Sequence, residues 1–199
     1  MSADLQALLD GPVLDVAPRL LNAVLRKGAV AVRVTEVEAY DGPNDPGSHA
    51  FNGPTRRNEI MYGEPGHLYV YFTYGMHHCC NVVVGPEGTA SAVLVRAGEI
   101  IDGLETARSR RPKSRDRDLA RGPARLCKAL DIDLSDNTAD LRSGVLTLQL
   151  SGEPEPTFAT GPRVGLRGAA DRPWRFWIDG DPTVSTYRPA VVRTRKAQG

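Results

Sequence analysis

Short stretches of alternating polar and apolar residues, broken by glycine and proline, constrain this chain more than any helical pattern in it. Residues 29–40 alternate and read as a strand, and further strands are expected near 67–73, 78–84 and 89–97. Gly85-Pro86-Glu87-Gly88 joins the last two as a short turn. Shorter strands are expected at 145–150, 162–166 and 174–178, separated by Pro and Gly. Helical signals are fewer. Asp15 to Gly28 reads as one helix, with Asp15 as N-cap, Val16, Leu20, Val24 and Leu25 on one face, and Gly28 just past its end. A second helix is expected from about 101 to the Arg111-Pro112 stop, and a third opens at Gly122-Pro123 with its proline in the first turn. The implied fold class is α+β, a single compact domain over 1–199 built on a largely antiparallel β-sheet with flanking helices. Residues 41–66, rich in Gly, Pro, Asn and Asp, form a long loop expected to serve the active site. Residues 108–118 are expected to be a basic, mobile loop, and 189–199 a flexible tail.

Composition narrows the classes. With 199 residues, 41% hydrophobic and 25% charged, the chain has material for one ordinary core. No apolar run approaches a membrane span, and the acidic start Met1-Ser2-Ala3-Asp4-Leu5 has no signal-peptide character. A cytoplasmic protein is expected, with no membrane partner. Cys79, Cys80 and Cys127 make no disulfide framework and are read as free thiols. His77-His78-Cys79-Cys80 invites a zinc reading, but adjacent strand residues point to opposite faces and the spacing matches no usual ligand pattern. No metal site is expected. Net charge is only +1, although Arg108, Arg110, Arg111, Lys113, Arg115, Arg117, Arg121 and Arg125 gather in one run against only Asp116 and Asp118.

The chemistry-bearing residues fall between Glu36 and Asn81. Strand alternation puts Glu36, Glu38 and Tyr40 on one face. Two carboxylates that close would repel if both were buried, so one is expected to be paired or solvated; Glu36 is read as an ordinary acid on a wet sheet face. The loop carrying His49 begins just after Tyr40. Tyr69 and Tyr71 share a face, with Leu68, Val70 and Phe72 opposite as the natural core. Tyr74 falls at a turn, and Asn81 is a polar residue in an apolar strand, which must find partners or carry a desolvation penalty. A carboxylate beside aromatic planes suits chemistry on a nucleobase. Two alternatives stay open: a nucleic-acid binding module without catalysis, and a carbohydrate hydrolase using Glu36 and Glu38. Parallel side chains at i and i+2 count against the hydrolase, since they could not flank a sugar.

Several ordered segments are similar to one known family. Glu36-Val37-Glu38-Ala39-Tyr40, Thr55-Arg56-Arg57-Asn58, the run from Gly66 to Met76, Val93-Leu94-Val95-Arg96-Ala97, Gly122-Pro123-Ala124-Arg125-Leu126-Cys127 and Gly161-Pro162-Arg163-Val164-Gly165 resemble the alkyladenine (3-methylpurine) DNA glycosylases, in a bacterial-type form. The resemblance implies a monofunctional base-excision hydrolase, with no cofactor, acting as a monomer on double-stranded DNA that contains damaged purines. It implies that Glu38 activates the attacking water and Arg96 helps hold it. Tyr40, His49 and Tyr71 would sandwich the flipped base, and Asn81 would clash with the amino group of guanine. Tyr74 would wedge into the duplex, with Met76, His77 and Arg57 touching DNA. Val37, Asn22 and Arg56 stand where relatives of this kind often carry Thr, Gly and Pro.

Overall fold

A computed structural model describes residues 2–73, 75–152 and 156–190. Two long strands organise it. β2 (Val30–Asp41) and β5 (Ser91–Asp102) pair antiparallel over their whole length. β5 continues to β4 (His77–Val84) and then β3 (Leu68–Thr73). On its other edge β2 takes β1 (Val24–Lys27) along its first half and β8 (Arg175–Ile178) at Glu36–Glu38. β6 (Leu146–Gln149) pairs with β1, and β7 (Phe158–Gly161) with β8. All these pairings are antiparallel, so the architecture is the expected α+β domain around one curled sheet.

One face of the sheet packs on helices. Leu68 and Val70 of β3, Cys80, Val82 and Val84 of β4, and Val93 and Val95 of β5 join the main core. That core is closed by α1 (Ser2–Leu9), α2 (Val13–Arg19) and α4 (Pro123–Leu130), the last burying Leu126, Cys127, Ala129 and Leu130. The opposite face carries Tyr69, Val83 and Ala92, which pack on Ala50 and Met61 from the loop at 41–66. Phe72, assigned to the core by alternation, is 45% exposed, because β3 runs out beyond the helices there. α3 (Leu104–Arg110) ends where Arg111-Pro112 demands.

Two further expectations fail. The helix read from Asp15 to Gly28 stops at Arg19, with Asp15 inside its first turn and Pro12 as N-cap. Asn22 then adopts φ 65°, a left-handed conformation that asparagine tolerates better than most residues. The chain re-enters as β1, and Gly28 (φ 57°) sits in the two-residue turn between β1 and β2 rather than capping a helix. Val24-Leu25-Arg26-Lys27 suits either periodicity, and pairing with β2 and β6 on both edges decides for the strand. The strand read at 162–166 is irregular backbone, and β7 precedes it.

β2 contains the irregularity that creates the site. Val30, Val32 and Val34 face the main core, yet so do Val37 and Ala39. An odd step lies between the two sets. Val34 pairs with Gly98 and Glu36 with Ala97, leaving Thr35 as the extra residue of a β-bulge. The bulge reverses the parity, so Glu36, Glu38 and Tyr40 face away from the core that the first half of the strand serves. Among the described residues no helix is long and apolar enough to cross a membrane. Of the expected flexible tail, 191–199 lies outside the described residues.

The bulge also fixes Gly98. A methyl group there would collide with the Val32 side chain and the Arg33 carbonyl. Gly98→Ala is therefore expected to lower stability by about 1–3 kcal/mol through overpacking, read as an earlier urea midpoint with an unchanged m-value.

Candidate active site

Glu36 is not the solvated acid expected of it. It has no solvent exposure, and its Oε1 accepts from Arg96 Nε (2.9 Å), Arg175 Nε (2.6 Å) and Ser185 Oγ (2.9 Å). Its Oε2 accepts from the Ser185 backbone N–H at 2.7 Å. A carboxylate engaged by four donors is a counter-ion, not an acid or base. Two arginines against one carboxylate leave a surplus positive charge. Glu38, whose Oε1 lies 3.3 Å from Arg96 Nη1, offsets it. Burial opposes the charge on Arg96, but Glu38 and then Glu36 outweigh it and hold the guanidinium above its ordinary pKa.

Glu38 is also fully buried, but it lines a pocket of about 370 Å³, within the roughly 300–1,000 Å³ common for ligand sites. Its Oε1 accepts from the Val164 N–H (2.6 Å) and its Oε2 from the Tyr40 hydroxyl (2.8 Å). Burial first, and then the Glu38 charge, push the Tyr40 phenol well above its usual range, so it keeps its proton and stays a donor. An ionised carboxylate has about four acceptor positions. One on Oε2 is unused by these contacts.

Tyr40 is backed by an ion pair that the sequence did not announce. The Arg163 guanidinium carbon lies 4.6 Å from the Tyr40 ring centroid and 5.2 Å from that of Trp174. Arg163 grips Asp45 through Nη1 (2.5 Å) and Nη2 (2.7 Å), and both side chains are wholly buried. Nη1 also donates to the Ala39 carbonyl at 2.9 Å. This pair ties the loop at 41–66 to the segment that delivers the Val164 N–H to Glu38. Arg163, Asp45, Arg175 and Ser185 were all missed as site-shaping residues. Arginine and aspartate are ordinarily exposed; the only available signal was the motif Gly161-Pro162-Arg163-Val164-Gly165.

Tyr71, Tyr69 and His49 also line the pocket. His49 Nδ1 lies 3.0 Å from the Tyr69 hydroxyl, and its ring stands edge-on to Tyr71 at 4.6 Å and 84°. Asn58, almost fully buried, donates to the His49 carbonyl (2.8 Å) and accepts from the Thr55 N–H (2.6 Å), which folds the 55–58 turn beneath His49. Asn81 satisfies its polarity by donating to the Tyr69 carbonyl at 3.2 Å, and it still borders the pocket. The Cys79 thiol, also at the pocket, is pushed up to about 11, chiefly by burial. Burial and then Arg57 lower the His49 pKa, and Arg57 itself sits 5.3 Å from the Tyr71 centroid.

Glu38, Tyr40, His49, Tyr71, Asn81 and Arg96 thus meet around one pocket. Arg57, Met76 and His77 do not line it; they lie exposed, Met76 to 69%. Tyr74 lies outside the described residues. No group of three or more His, Cys, Asp or Glu side chains able to hold a metal occurs among the described residues. A two-carboxylate glycosidase mechanism is not served, because Glu36 is locked among its donors.

Two outcomes are expected. Glu36→Gln leaves the buried Arg175 guanidinium without its carboxylate and Arg96 with Glu38 alone, and should cost about 3–5 kcal/mol of stability by urea denaturation. By NMR titration His49 should show a midpoint below its ordinary value, and Arg57→Gln should raise that midpoint by removing the neighbouring charge.

The chain matches the methylpurine-DNA glycosylase (MPG) family model over residues 7–182. A provisionally named 3-methyladenine DNA glycosylase of Streptomyces avermitilis is 58% identical over 196 aligned residues, 93% of this chain and 92% of its own. Similarly named proteins of Leifsonia xyli and Nocardia farcinica are 57% and 50% identical, covering 88% and 92% of this chain and 88% and 90% of theirs. By its sequence over nearly its whole length, this chain belongs to the methylpurine-DNA glycosylase family.

Proposed function

We propose that this protein extrudes alkylated or deaminated purines from duplex DNA and hydrolyses their N-glycosidic bond with a water activated by Glu38. Family membership supplies the coarser statement, a DNA glycosylase of the methylpurine type. One observation carries the finer one. Glu38 is buried, contacted only by donors, and opens on an aromatic pocket beside a fixed cation.

The chemistry follows from that arrangement. The target bond lies inside the stack, so the nucleotide must be flipped out at a cost of a few kcal/mol. Stacking in a slot walled by Tyr40 on one side and Tyr71 with His49 on the other recovers about 1–3 kcal/mol. A purine made cationic by alkylation gains further from the ring faces and is a good leaving group. As the bond breaks, positive charge develops on the sugar, and the Glu38 carboxylate stabilises it. Glu38 also accepts a proton from the attacking water at its unused acceptor position. Arg96, whose Nη1 stands 3.3 Å from Glu38 Oε1, helps hold that water. Asn81, pinned by the Tyr69 carbonyl, would crowd the exocyclic amino group of guanine and so exclude the normal base. No lysine lines the pocket among the described residues, which favours water over an amine as nucleophile and hence a monofunctional enzyme leaving an abasic site. The wedge role of Tyr74 and the DNA contacts of Met76, His77 and Arg57 rest on the family resemblance.

Glu38→Gln should lower base release from duplexes carrying a methylated purine or hypoxanthine by about 10²–10⁴-fold while leaving lesion binding intact. Release at the wild-type rate would remove Glu38 from the role of base. Loss of binding and release together would make it a structural residue.

A further inference from the structure

The basic run at 108–125 has no part in base excision as described above, and the fold consumes most of it. Arg108 pairs with Glu105 and, at 2.7 Å, with Asp116. Arg110 donates to the Ala129 carbonyl, and Arg111 to those of Asp118 and Leu119. Arg121 and Arg125 go elsewhere. They flank the Gly122-Pro123 start of α4 and, with Thr186 and Arg188, line a second pocket of about 240 Å³. Arg96 and Val164 border both this pocket and the aromatic one. The two hollows therefore adjoin across the residues that hold Glu38.

The charge in the second pocket is unevenly balanced. Arg96 is committed to Glu36 and Glu38, and Arg121 Nη1 lies 3.3 Å from Asp118 while its Nε donates to the Val184 carbonyl. Among the described residues no carboxylate forms an ion pair with Arg125 or Arg188, and both are exposed. Burial, and after it the neighbouring charge of Arg125, depress the Arg111 guanidinium below its ordinary value, with Asp118 acting the other way.

We propose that this second pocket is a phosphate subsite, in which Arg125 and Arg188 hold a phosphodiester flanking the flipped nucleotide, with Arg121 behind them. The proposal rests on the glycosylase reading. A nucleotide with its base in the aromatic pocket and its sugar over Glu38 must lead its backbone out past Arg96 and Val164, and that border opens onto these arginines. Guanidinium forks match phosphate oxygens in two-point geometry. They also answer an electrostatic difficulty: a phosphodiester drawn towards a buried carboxylate is repelled unless fixed cations stand between them.

The test uses a duplex with one methylated purine and neutral methylphosphonate in place of the phosphate on the 5′ or the 3′ side of the lesion. Wild type should lose about ten-fold or more in kcat/KM on one of these two duplexes. Arg125→Gln combined with Arg188→Gln should show a similar loss on the all-phosphate duplex, no further loss on the sensitive methylphosphonate, and a salt slope reduced by about 0.9 for one lost contact. Both residues are exposed, and an unchanged thermal midpoint verifies the fold. A double variant as sensitive to the methylphosphonate as wild type overturns the subsite, as does a wild type indifferent at both positions. Base release by wild type from the unmodified duplex tests the glycosylase reading separately. If none occurs, the same comparison made by binding affinity still decides whether the arginines meet that phosphate.

Discussion

The working face of this molecule depends on one buried cluster of charge. Glu36 comes from β2, Arg96 from β5, Arg175 from β8 and Ser185 from the segment beyond it, so four separate parts of the chain meet on a single carboxylate. Taking such groups out of water costs several kcal/mol each, and the cost is met only when geometry and hydrogen bonding are complete. Here Glu36 accepts from four donors. The consequence lies one residue pair along the strand. Arg96 cannot turn towards solvent, and it stands as a fixed cation beside Glu38.

A second buried pair does for the loops what the first does for the sheet. Arg163 and Asp45 join two irregular segments that have no strand ladder between them, and their contact brings together the Tyr40 ring, the Ala39 carbonyl and the Val164 N–H. Loops are ordinarily the mobile part of a fold. A wholly buried salt bridge with two short contacts makes these loops into walls, so the donors around Glu38 are in place before any substrate arrives. Preorganised dipoles and charges of this kind do not have to reorient as charge develops at the reacting bond.

The site was legible where side-chain parity and residue chemistry point the same way. Tyr69 and Tyr71 fall opposite Leu68 and Val70, as alternation places them, because it survives from Leu68 to Tyr71 of β3. The third helix was legible from Gly122-Pro123, since proline at a first turn is a local signal. The burial of Glu36 is not legible locally because it depends on Arg175 and Ser185, far along the chain. The burial of Arg163 depends in the same way on distant Asp45. Val24 to Lys27 reads as helix in the sequence because four residues carry too little periodicity to choose, and the neighbours that choose, β2 and β6, are themselves non-local.

The chain's own pattern determined an antiparallel sheet, a short helical complement and a family whose motifs recur in order from Glu36 to Gly165. What it left undecided was the direction in which the strand carrying Glu36 and Glu38 faces. Strict alternation from Val30 would have aimed Glu36, Glu38 and Tyr40 into the same core as Val32 and Val34. The bulge at Thr35 reverses that parity and sends the acids to the pocket side. A bulge is a relation between two strands, formed because Gly98 lets β5 approach closely and because Glu36 finds its arginines only in the reversed register. Tertiary pairing alone could decide it.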